Sequence, residues 1–401
     1  MVNMNEGLAD TTGGRSGLGS NQTGLRAHNE RLILSQIRDL GSAAKADIAR
    51  LTGLSAQTAS VIMRELENDG LLERGEPVRG KVGQPSIPMR LSPNGALFFG
   101  LKVGRRSADL LLVNFLGDVL DRVHLPYAYP EPDSTMSFVL DAVRAISSRL
   151  DPALRGRVAG MGIAIPGYLW EWARIVGVPP ENMAEWRTRD IRAELDALFD
   201  FPVYLQNDAS CACGAEQVFG KRDYPSEFLY FYVGHFIGGG IVINRSLFTG
   251  PTGNAGAIGP MPIPTASGVQ QLVDMASLSG LEAKIIAAGE DPSPLWVDAT
   301  EWSVSSAHLD PWLAEAARGL ALAIGASCAV IDFEVAVIDG WLPRDVLGDL
   351  VARVQKELAI VDWAGLVVPT LMEGTIGPDA RSLGAASLPL SQRFLASASG
   401  L

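Results

Sequence analysis

Polar side chains suited to binding or deprotonating a hydroxyl follow a short apolar run in the middle of the chain. Gln206 is the last residue of the strand predicted over residues 203–206, and Asn207 and Asp208 follow it directly. Open α/β sheets present ligand groups at the carboxyl ends of their strands. Asp208 is therefore a candidate general base toward a hydroxyl, with Asn207 holding neighbouring hydroxyls. Alternatively, Asp208 simply caps the helix that begins near Ala209, and the sequence leaves both roles open.

Two glycine-rich segments have the composition of an anion-binding loop. The first, Gly234 to Gly240, follows a predicted strand, and the second runs from Gly250 to Gly256. Consecutive glycines let backbone N–H groups approach a phosphate, but a glycine turn is also a common way to reverse a strand. We expect the strand-reversing role in the first segment, and the same alternative applies to the second.

Neither the cysteines nor the histidines form a pattern that predicts a metal site. Cys211 and Cys213 have the spacing that can begin a thiolate site, but no other cysteine lies within 100 residues of them and His235 is isolated. Structural zinc needs four ligands. We therefore predict no metal and no cofactor, and expect both cysteines to line a packed helix.

These residues lie in a region whose pattern predicts an α/β fold. Strands interleaved with helices indicate a parallel or mixed sheet with helices on its faces. The predicted strands are residues 97–103, 109–115, 160–165, 203–206, 228–233, 239–243 and 335–338, and the predicted helices are residues 138–150, 190–199, 311–330 and 345–358.

A different pattern occupies the start of the chain. Residues 1–23 are rich in Gly, Ser, Thr and Asn and are expected to form a disordered tail. Residues 24–92 then give a helix, a short helix, a turn at Gly53, a third helix capped by Ser55 and a basic hairpin, which is the order of a winged helix-turn-helix. The alternative is an ordinary three-helix module with a surface hairpin.

If this segment binds DNA, the third helix enters the major groove and the hairpin forms the wing. Gln57 can pair with adenine in bidentate fashion, and hydroxyl and arginine side chains commonly contact phosphate. Val61, Ile62 and Leu66 are expected to face inward. The predicted contact residues are Ser55, Ala56, Gln57, Thr58, Ser60 and Arg64 in the third helix and Arg79, Lys81 and Gln84 in the wing.

Composition is compatible with this organisation. The net charge is −12 over 401 residues, but residues 1–90 carry 11 basic against 10 acidic side chains, so the acidic excess belongs to the remainder. A near-neutral head on an acidic body suits a DNA-binding module joined to a domain that does not bind DNA. Three cysteines give no disulfide framework, and no apolar run is long enough to cross a membrane, so we expect a cytoplasmic protein.

The motifs together resemble the ROK family, which groups sugar-responsive repressors with sugar kinases. The head resembles the family at residues 26–31, at residues 48–55 and in the wing at residues 80–85. The body resembles it at residues 162–167, 206–209, 238–243 and 250–259. Residues 93–401 are accordingly expected to form two actin-like lobes of the ribonuclease-H type that sense a sugar.

The resemblance also indicates where this chain departs from the phosphate-binding motifs of the family's kinases. Kinases of the family hold ATP phosphates on an Asp-x-Gly-Gly-Thr turn, which here reads Lys102 to Arg106, with lysine in place of the carboxylate. The later phosphate loop has His235 and Phe236 where Thr and Gly belong. Phosphoryl transfer depends on positioning and neutralising the triphosphate, so we expect no kinase activity and a vestigial role for Asp208.

The chain retains some of the residues with which the family binds sugar. Asn182 matches a sugar-loop asparagine, and Asn207 and Asp208 match the sugar-binding and base pair. Gly256 and Ala257 belong to the segment in which the family has Gly-Glu, so Ala257 stands where the family has glutamate. The position of a second family glutamate is occupied by Val273, next to Asp274. The expected ligand residues are Asn182, Asn207, Asp208, Gly256 and Ala257.

The favoured hypothesis is a transcriptional repressor of carbohydrate genes that binds a double-stranded operator as a homodimer or homotetramer and responds to a sugar or sugar derivative. One alternative is an ATP-dependent sugar kinase with an added regulatory head. Another is an assembly module that binds no ligand.

The wing yields a first prediction. Lys81→Ala should weaken DNA binding across all sequences, because a phosphate contact is lost without loss of base readout. It should also reduce the slope of log affinity against log salt concentration by about one. Binding isotherms on two unrelated duplexes at several salt concentrations measure both effects, and an unchanged salt slope would contradict the assignment.

Overall fold

The computed structural model describes residues 22–77, 87–173 and 177–396. They form two compact units: the first holds residues up to Leu205 together with those from Ala385 onward, and the second is Gln206–Gly384. No helix among the described residues is long and apolar enough to cross a membrane. The predicted tail lies outside the described residues, except for its last two, which begin the first helix.

The first unit begins with a small helical head. Its helices are α1 (Gln22–Leu40), α2 (Lys45–Thr52) and α3 (Ala56–Asn68), followed by the antiparallel strands β1 (Leu72–Arg74) and β2 (Met89–Leu91). Glycines in the left-handed region end these helices, at Gly41, Gly53 and Gly70, where a side chain would be strained. The predicted winged helix-turn-helix order is confirmed for these elements.

A five-stranded sheet follows in the first unit, with the order β5-β4-β3-β6-β7. Strand β4 runs antiparallel to β3 and β5, whereas β6 runs parallel to β3. The elements are β3 (Leu97–Val103), β4 (Ser107–Val113), β5 (Val119–Pro126), α4 (Pro132–Arg149), α5 (Pro152–Arg155), β6 (Val158–Ile165), a 3₁₀ turn (Leu169–Trp172), α6 (Glu181–Ala184), a 3₁₀ turn (Glu185–Arg187), α7 (Ile191–Asp196) and β7 (Val203–Asn207).

The second unit repeats this sheet. Its order is β10-β9-β8-β13-β14, with β9 antiparallel to β8 and β10 and with β13 parallel to β8 and β14. The elements are α8 (Asp208–Phe219), β8 (Phe228–Val233), β9 (Gly238–Ile243), β10 (Ser246–Phe248), β11 (Pro262–Thr265), β12 (Gly268–Gln271), α9 (Leu272–Ala276), α10 (Leu278–Ala287), α11 (Pro294–Val297), α12 (Ser306–Cys328), β13 (Val335–Gly340), α13 (Arg344–Leu358), β14 (Thr370–Glu373), a 3₁₀ turn (Gly377–Asp379) and α14 (Ala380–Phe394). The residues of α14 from Ala385 onward belong to the first unit.

Two sheets with the same five-strand order confirm the actin-like, ribonuclease-H type of body that the resemblance implies. The central strands are buried on both faces, as β3 and β8 show along their whole length, and each unit has its own apolar core. Continuous Val, Ile, Leu and Phe runs made these strands visible in the sequence.

The prediction differs from the structure where tertiary context decides. Helix α12 begins at Ser306 and not at Pro311, because the Ser305 hydroxyl accepts the Ala307 N–H at 3.3 Å and caps it earlier. Strand β5 was missed because it forms the sheet edge, where half of its residues face solvent. Helix α14 contains Pro389 and was not predicted.

Two buried carboxylates secure the loop that leads into α14. Glu216 accepts the backbone N–H groups of Thr375 and Ile376 at 2.9–3.2 Å, and Asp339 accepts the N–H of Gly377 at 2.8 Å. The Tyr230 hydroxyl also donates to Asp339, at 3.1 Å. Burial raises the pKa of Asp339 to about 6, against two backbone N–H groups that favour the charged form.

This raised pKa predicts a pH effect on stability. A carboxyl whose folded pKa exceeds its unfolded pKa stabilises fully below the unfolded value, about 4, and loses that contribution as pH rises through the folded value, about 6. From pH 5 to 7 this group should lower the free energy of unfolding by about 1 kcal/mol. Asp339→Asn, whose amide oxygen can still accept both hydrogen bonds, should remove that loss.

Urea unfolding of the wild type and the variant at pH 5, 6, 7 and 8 measures the difference. Asp332→Asn, at an exposed carboxylate in the turn before β13, is the matched control and should keep the wild-type slope. Equal pH dependence in Asp339→Asn and the wild type would contradict the prediction.

Candidate functional site

Helix α3, the predicted recognition helix, presents a polar face. Its N-cap is Ser55, as predicted: the side chain accepts the Thr58 N–H at 3.0 Å and lies 2.8 Å from the Thr58 hydroxyl. Both hydroxyls are therefore engaged with each other and the helix end. Ala56, Gln57 and Arg64 are exposed and Ser60 is partly exposed, so these side chains are available to bases and phosphates.

Val61 corrects one expectation. The sequence pattern placed it inward with Ile62 and Leu66, but Val61 is 43% exposed, whereas Ile62 and Leu66 are buried. It lies on the helix face between Gln57 and Arg64, four residues after one and three before the other. A valine there can contact a thymine methyl group. Its apolar side chain concealed this position from a reading based on hydrophobic periodicity.

The predicted wing residues Arg79, Lys81 and Gln84 lie outside the described residues. Their assignment to DNA contact therefore stays a prediction.

The head docks directly on the sheet of the first unit. Arg38 of α1 donates to the backbone oxygen of Phe115 at 2.6 Å, and Arg157 donates to the backbone oxygen of Asp69, at the end of α3, at 2.5 Å. The backbone N–H of Ala396 donates to the Ser35 hydroxyl at 2.9 Å. Burial lowers the pKa of Arg38 to about 10, so this arginine stays charged at neutral pH.

Close backbone approach completes the junction. A Cβ at Gly95 would lie 2.9 Å from the oxygen of Gly70, and a Cβ at Gly70 would lie 2.8 Å from the Arg157 guanidinium. Both contacts are closer than a side chain normally allows, so only glycine fits without displacement. The recognition helix is consequently fixed to the first unit by its C-terminal end.

In the first unit, the turn that resembles a kinase phosphate turn is occupied by a buried ion pair. Lys102 donates to Asp109 at 2.5 Å and to the Ser107 hydroxyl at 3.1 Å, and both charged residues are only 8% exposed. Burial alone would raise the pKa of Asp109, but Lys102 and the hydrogen bond to His124 bring it below its usual range. Where a kinase of the family has a carboxylate, this chain has the Lys102 ammonium, which is paired with Asp109 of the same unit.

The turn itself is held closed by its neighbours. The Gly104 N–H donates to Ser107 at 2.9 Å, and the Tyr127 hydroxyl donates to the Gly104 oxygen at 2.7 Å. His124, which the sequence left as a scattered histidine, lies 2.6 Å from Asp109 through Nδ1. No sequence signal pointed to this cluster, since its members are separated by up to 22 residues on three strands.

In the second unit, the glycine-rich loop from Gly234 reverses the chain between β8 and β9, as expected. Its backbone is tied to α10: the N–H groups of Leu278 and Ser279 donate to the oxygens of Gly234 and His235 at 3.0 and 3.1 Å. The Ser277 hydroxyl accepts the Ile237 N–H at 2.9 Å.

The side chain in the threonine position of that loop is also engaged. His235 is largely buried, lies 3.5 Å from Glu282 and has its ring centre 5.5 Å from that of Trp296. The loop is therefore filled by this chain's own groups.

Asn207 and Asp208 lie where the sequence placed them, at the end of β7 and the start of α8. The helix is capped by Asn207, whose side-chain oxygen accepts the N–H groups of Ala209 and Ser210 at 3.0 and 3.3 Å. Asp208 pairs with Arg381 at 3.4 Å, and this guanidinium also lies over the Tyr232 ring. The capping alternative thus applies to Asn207, and Asp208 has an arginine partner.

Asn182 belongs to the first unit, whereas Asn207 and Asp208 belong to the second. In α6 the Asn182 amide donates to the Tyr129 hydroxyl at 3.0 Å, and Trp186 nearby donates to the oxygen of Pro130. The Trp186 hydrogen bond fixes this segment against the core of its own unit.

Gly256 and Ala257 form part of the loop between β10 and β11. Gly256 has φ +80°, and a Cβ there would lie 2.7 Å from Gly240, so this position requires glycine. Ala257 is exposed and has no polar group. Asp274, the expected substitute for a lost glutamate, instead accepts the Gln271 N–H at 3.2 Å in a capping box at the start of α9.

The thiols of Cys211 and Cys213 are fully buried in α8, which confirms the packed-helix interpretation. Burial raises the pKa of both thiols well above its ordinary value, so they are protonated at neutral pH. Among the residues described, no group of three or more His, Cys, Asp or Glu side chains is arranged to hold a metal ion.

Comparison with curated proteins finds repressors. The chain is 25% identical over 244 residues to the xylose repressor of Bacillus spizizenii, a match covering 61% of this chain and 62% of that one. It is 22% identical over 254 residues to the DNA-binding transcriptional dual regulator NagC of Escherichia coli, covering 63% and 61%. The chain thus spans about three-fifths of the length of each of these two relatives.

Solved structures show the same fold. One is a ROK family transcriptional regulator described as a homolog of the E. coli MLC protein, with a TM-score of 0.66 and 19% identity over 92% of this chain and 97% of that one. Another is a ROK family glucokinase from Streptomyces griseus in complex with glucose and AMPPNP, with a TM-score of 0.55 and 19% identity over 73% and 99%.

Family profiles account for both parts of the chain. A winged helix-turn-helix DNA-binding profile matches residues 26–73, and the ROK family profile matches residues 98–388. Since the second match covers well over half of the sequence, the chain belongs to the ROK family.

Proposed function

We propose that this chain is a DNA-binding repressor of carbohydrate genes that responds to a sugar or sugar derivative without phosphoryl transfer. The observation that carries the proposal lies in the first unit, which combines an exposed recognition helix with a phosphate turn closed by the Lys102–Asp109 ion pair.

Support for the DNA-binding part comes from α3 and from the named relatives. The face formed by Gln57, Ser60, Val61 and Arg64 offers an amide, a hydroxyl, a methyl-contacting group and a cation on one helix, which is the chemical range needed in a major groove. Both named relatives are regulators, and one is named for xylose.

Support for a sensor without kinase activity comes from charge. Phosphoryl transfer requires that Mg²⁺ and cationic donors neutralise the triphosphate. Lys102 stands where a Mg²⁺-holding carboxylate is needed, and Asp208 is paired with Arg381. The kinase alternative rests on Asp208 and on the likeness to a glucokinase fold, and neither supplies the missing carboxylate.

The docked head suggests how a ligand would act on DNA binding. Because Arg38 holds α1, and Arg157 holds the end of α3, against the rest of the first unit, any movement of that unit carries the recognition helix with it. In a homodimer or homotetramer, such movement would change the spacing of two heads on a pseudo-palindromic operator. We place this action in the cytoplasm.

The recognition face gives a test on DNA. Gln57→Ala should remove preference for adenine at one position of each half-site, at a cost of about 1–3 kcal/mol of discrimination, because a bidentate amide contact is lost. Selection from a randomised duplex pool with the wild type gives the operator, and competition with single-base variants measures discrimination.

Asn68→Ala is the matched control, since it removes an exposed amide from the other end of the same helix. It should keep the wild-type base preference. A wild-type protein that selects no sequence at moderate salt, with or without sugars, would overturn the DNA-binding proposal, and an unchanged preference in Gln57→Ala would overturn the assigned face.

The phosphate turn gives a test on catalysis. With Mg²⁺–ATP and D-xylose, D-glucose or N-acetyl-D-glucosamine, the wild type should release no sugar-dependent ADP in a coupled assay. The sugar that is the effector should nevertheless raise the melting temperature, because a ligand bound only by the folded state stabilises it.

Turnover that disappears in Asp208→Asn and persists in the exposed control Asp332→Asn would establish a kinase and contradict the proposal. No thermal shift with any of the sugars would contradict the effector class.

A further inference from the structure

The C-terminal ends of two long helices in the second unit expose aliphatic side chains. Helices α12 and α13 pack against each other, and each is followed by an alanine, an exposed aliphatic residue and an aliphatic residue that packs on the core. The exposed residue is Val330 after α12 and Ile360 after α13, and these side chains are 83% and 78% exposed. One exposed aliphatic residue is ordinary, but a group of them marks a surface with a function.

Contacts within the unit bring these two helix ends together. The Val361 side chain lies 3.5 Å from the position that a Cβ would take at Gly325, in the last turn of α12. The Thr370 N–H, at the start of β14, donates to the oxygen of Glu334, just before β13, at 2.9 Å. The ends of both helices and the starts of both strands therefore lie at the same edge of the second unit.

The loop between α13 and β14 adds two more aliphatic side chains, Val367 and Val368, which are 69% and 44% exposed. The loop is held in place by Trp363, whose ring packs on the core and whose indole N–H donates to the oxygen of Leu358 at 2.8 Å. We call the four exposed residues Val330, Ile360, Val367 and Val368 the helix-end surface.

The charge around the helix-end surface is negative. Glu334 and Asp362 are exposed carboxylates in the same two segments, and residues 328–335 and 359–370 contain no lysine or arginine. The C-terminal ends of α12 and α13 add partial negative charge, because the last carbonyl groups of a helix point out of its end. The surface thus combines an apolar centre with acidic neighbours.

This charge decides which occupant fits. A second copy related by a two-fold axis would bring the negative surface against itself, and nucleic acid and anionic lipid would be repelled. We propose that the helix-end surface binds another protein, through a segment whose aliphatic side chains are flanked by lysine or arginine. This inference is independent of the DNA-binding and sugar-binding proposals.

Photo-cross-linking in the cells that produce the protein identifies the occupant. A photoreactive residue, p-benzoylphenylalanine, is placed in the full chain at Val330, at Ile360 or, as the control, at Val297, which is 82% exposed in α11. Mass spectrometry of the cross-linked peptides should find the same segment of one other protein from the first two positions and not from the third. That segment should be aliphatic and carry net positive charge.

A synthetic peptide with the captured sequence then measures the contribution of charge. The double variant Glu334→Lys and Asp362→Lys should bind it about tenfold more weakly than the wild type, because attraction becomes repulsion, and should keep the wild-type melting temperature. Wild-type affinity should also fall as salt is added. Glu301→Lys, at an exposed carboxylate in the loop before α12, is the matched control and should bind like the wild type.

Three results would overturn this proposal. The first is cross-linking to a second copy of this chain, and the second is the absence of a cross-linked segment or the capture of one that is neutral or acidic. The third is wild-type affinity for the peptide in the double variant. None of them bears on operator selection or on the thermal shift with sugars, which test the repressor separately.

Discussion

The attachment of the helix-turn-helix head to the sheet of the first unit is the constraint on which the rest depends. Arg38 and Arg157 donate to backbone oxygens on opposite sides of the junction, and Gly70 and Gly95 let the two segments touch. Because this head is docked at the end of its recognition helix, a change in the body can become a change in the position of that helix.

The Lys102–Asp109 pair holds together the turn that resembles the kinase phosphate turn. Two opposite charges buried together are stable only as a pair, and removing one partner leaves an uncompensated charge at a cost of about 3–5 kcal/mol. A carboxylate at position 102 would face that of Asp109, its cross-strand partner in β4. The turn therefore depends on Lys102, Asp109 and His124 together and not on one residue.

Polar side chains at strand ends in the second unit also have partners within the chain. Asn207 caps a helix and Asp208 pairs with Arg381, so the side chains that look like a sugar-binding and base pair already have structural partners. His235 likewise fills its loop beside Glu282 and Trp296. The polar groups of these two segments are thus engaged within the chain.

The sequence by itself determined the helix-turn-helix order of the head and the α/β character of the body, because strands such as β8 are continuous apolar runs and the helix ends carry Ser55, Gly53 and Gly70. It could not place Val61, whose exposure depends on which face of α3 the head covers. Nor could it pair Lys102 with Asp109 and His124 or assign the cap to Asn207. Those features arise between residues distant in sequence or from a backbone angle, and only the folded chain sets distances and angles of that kind.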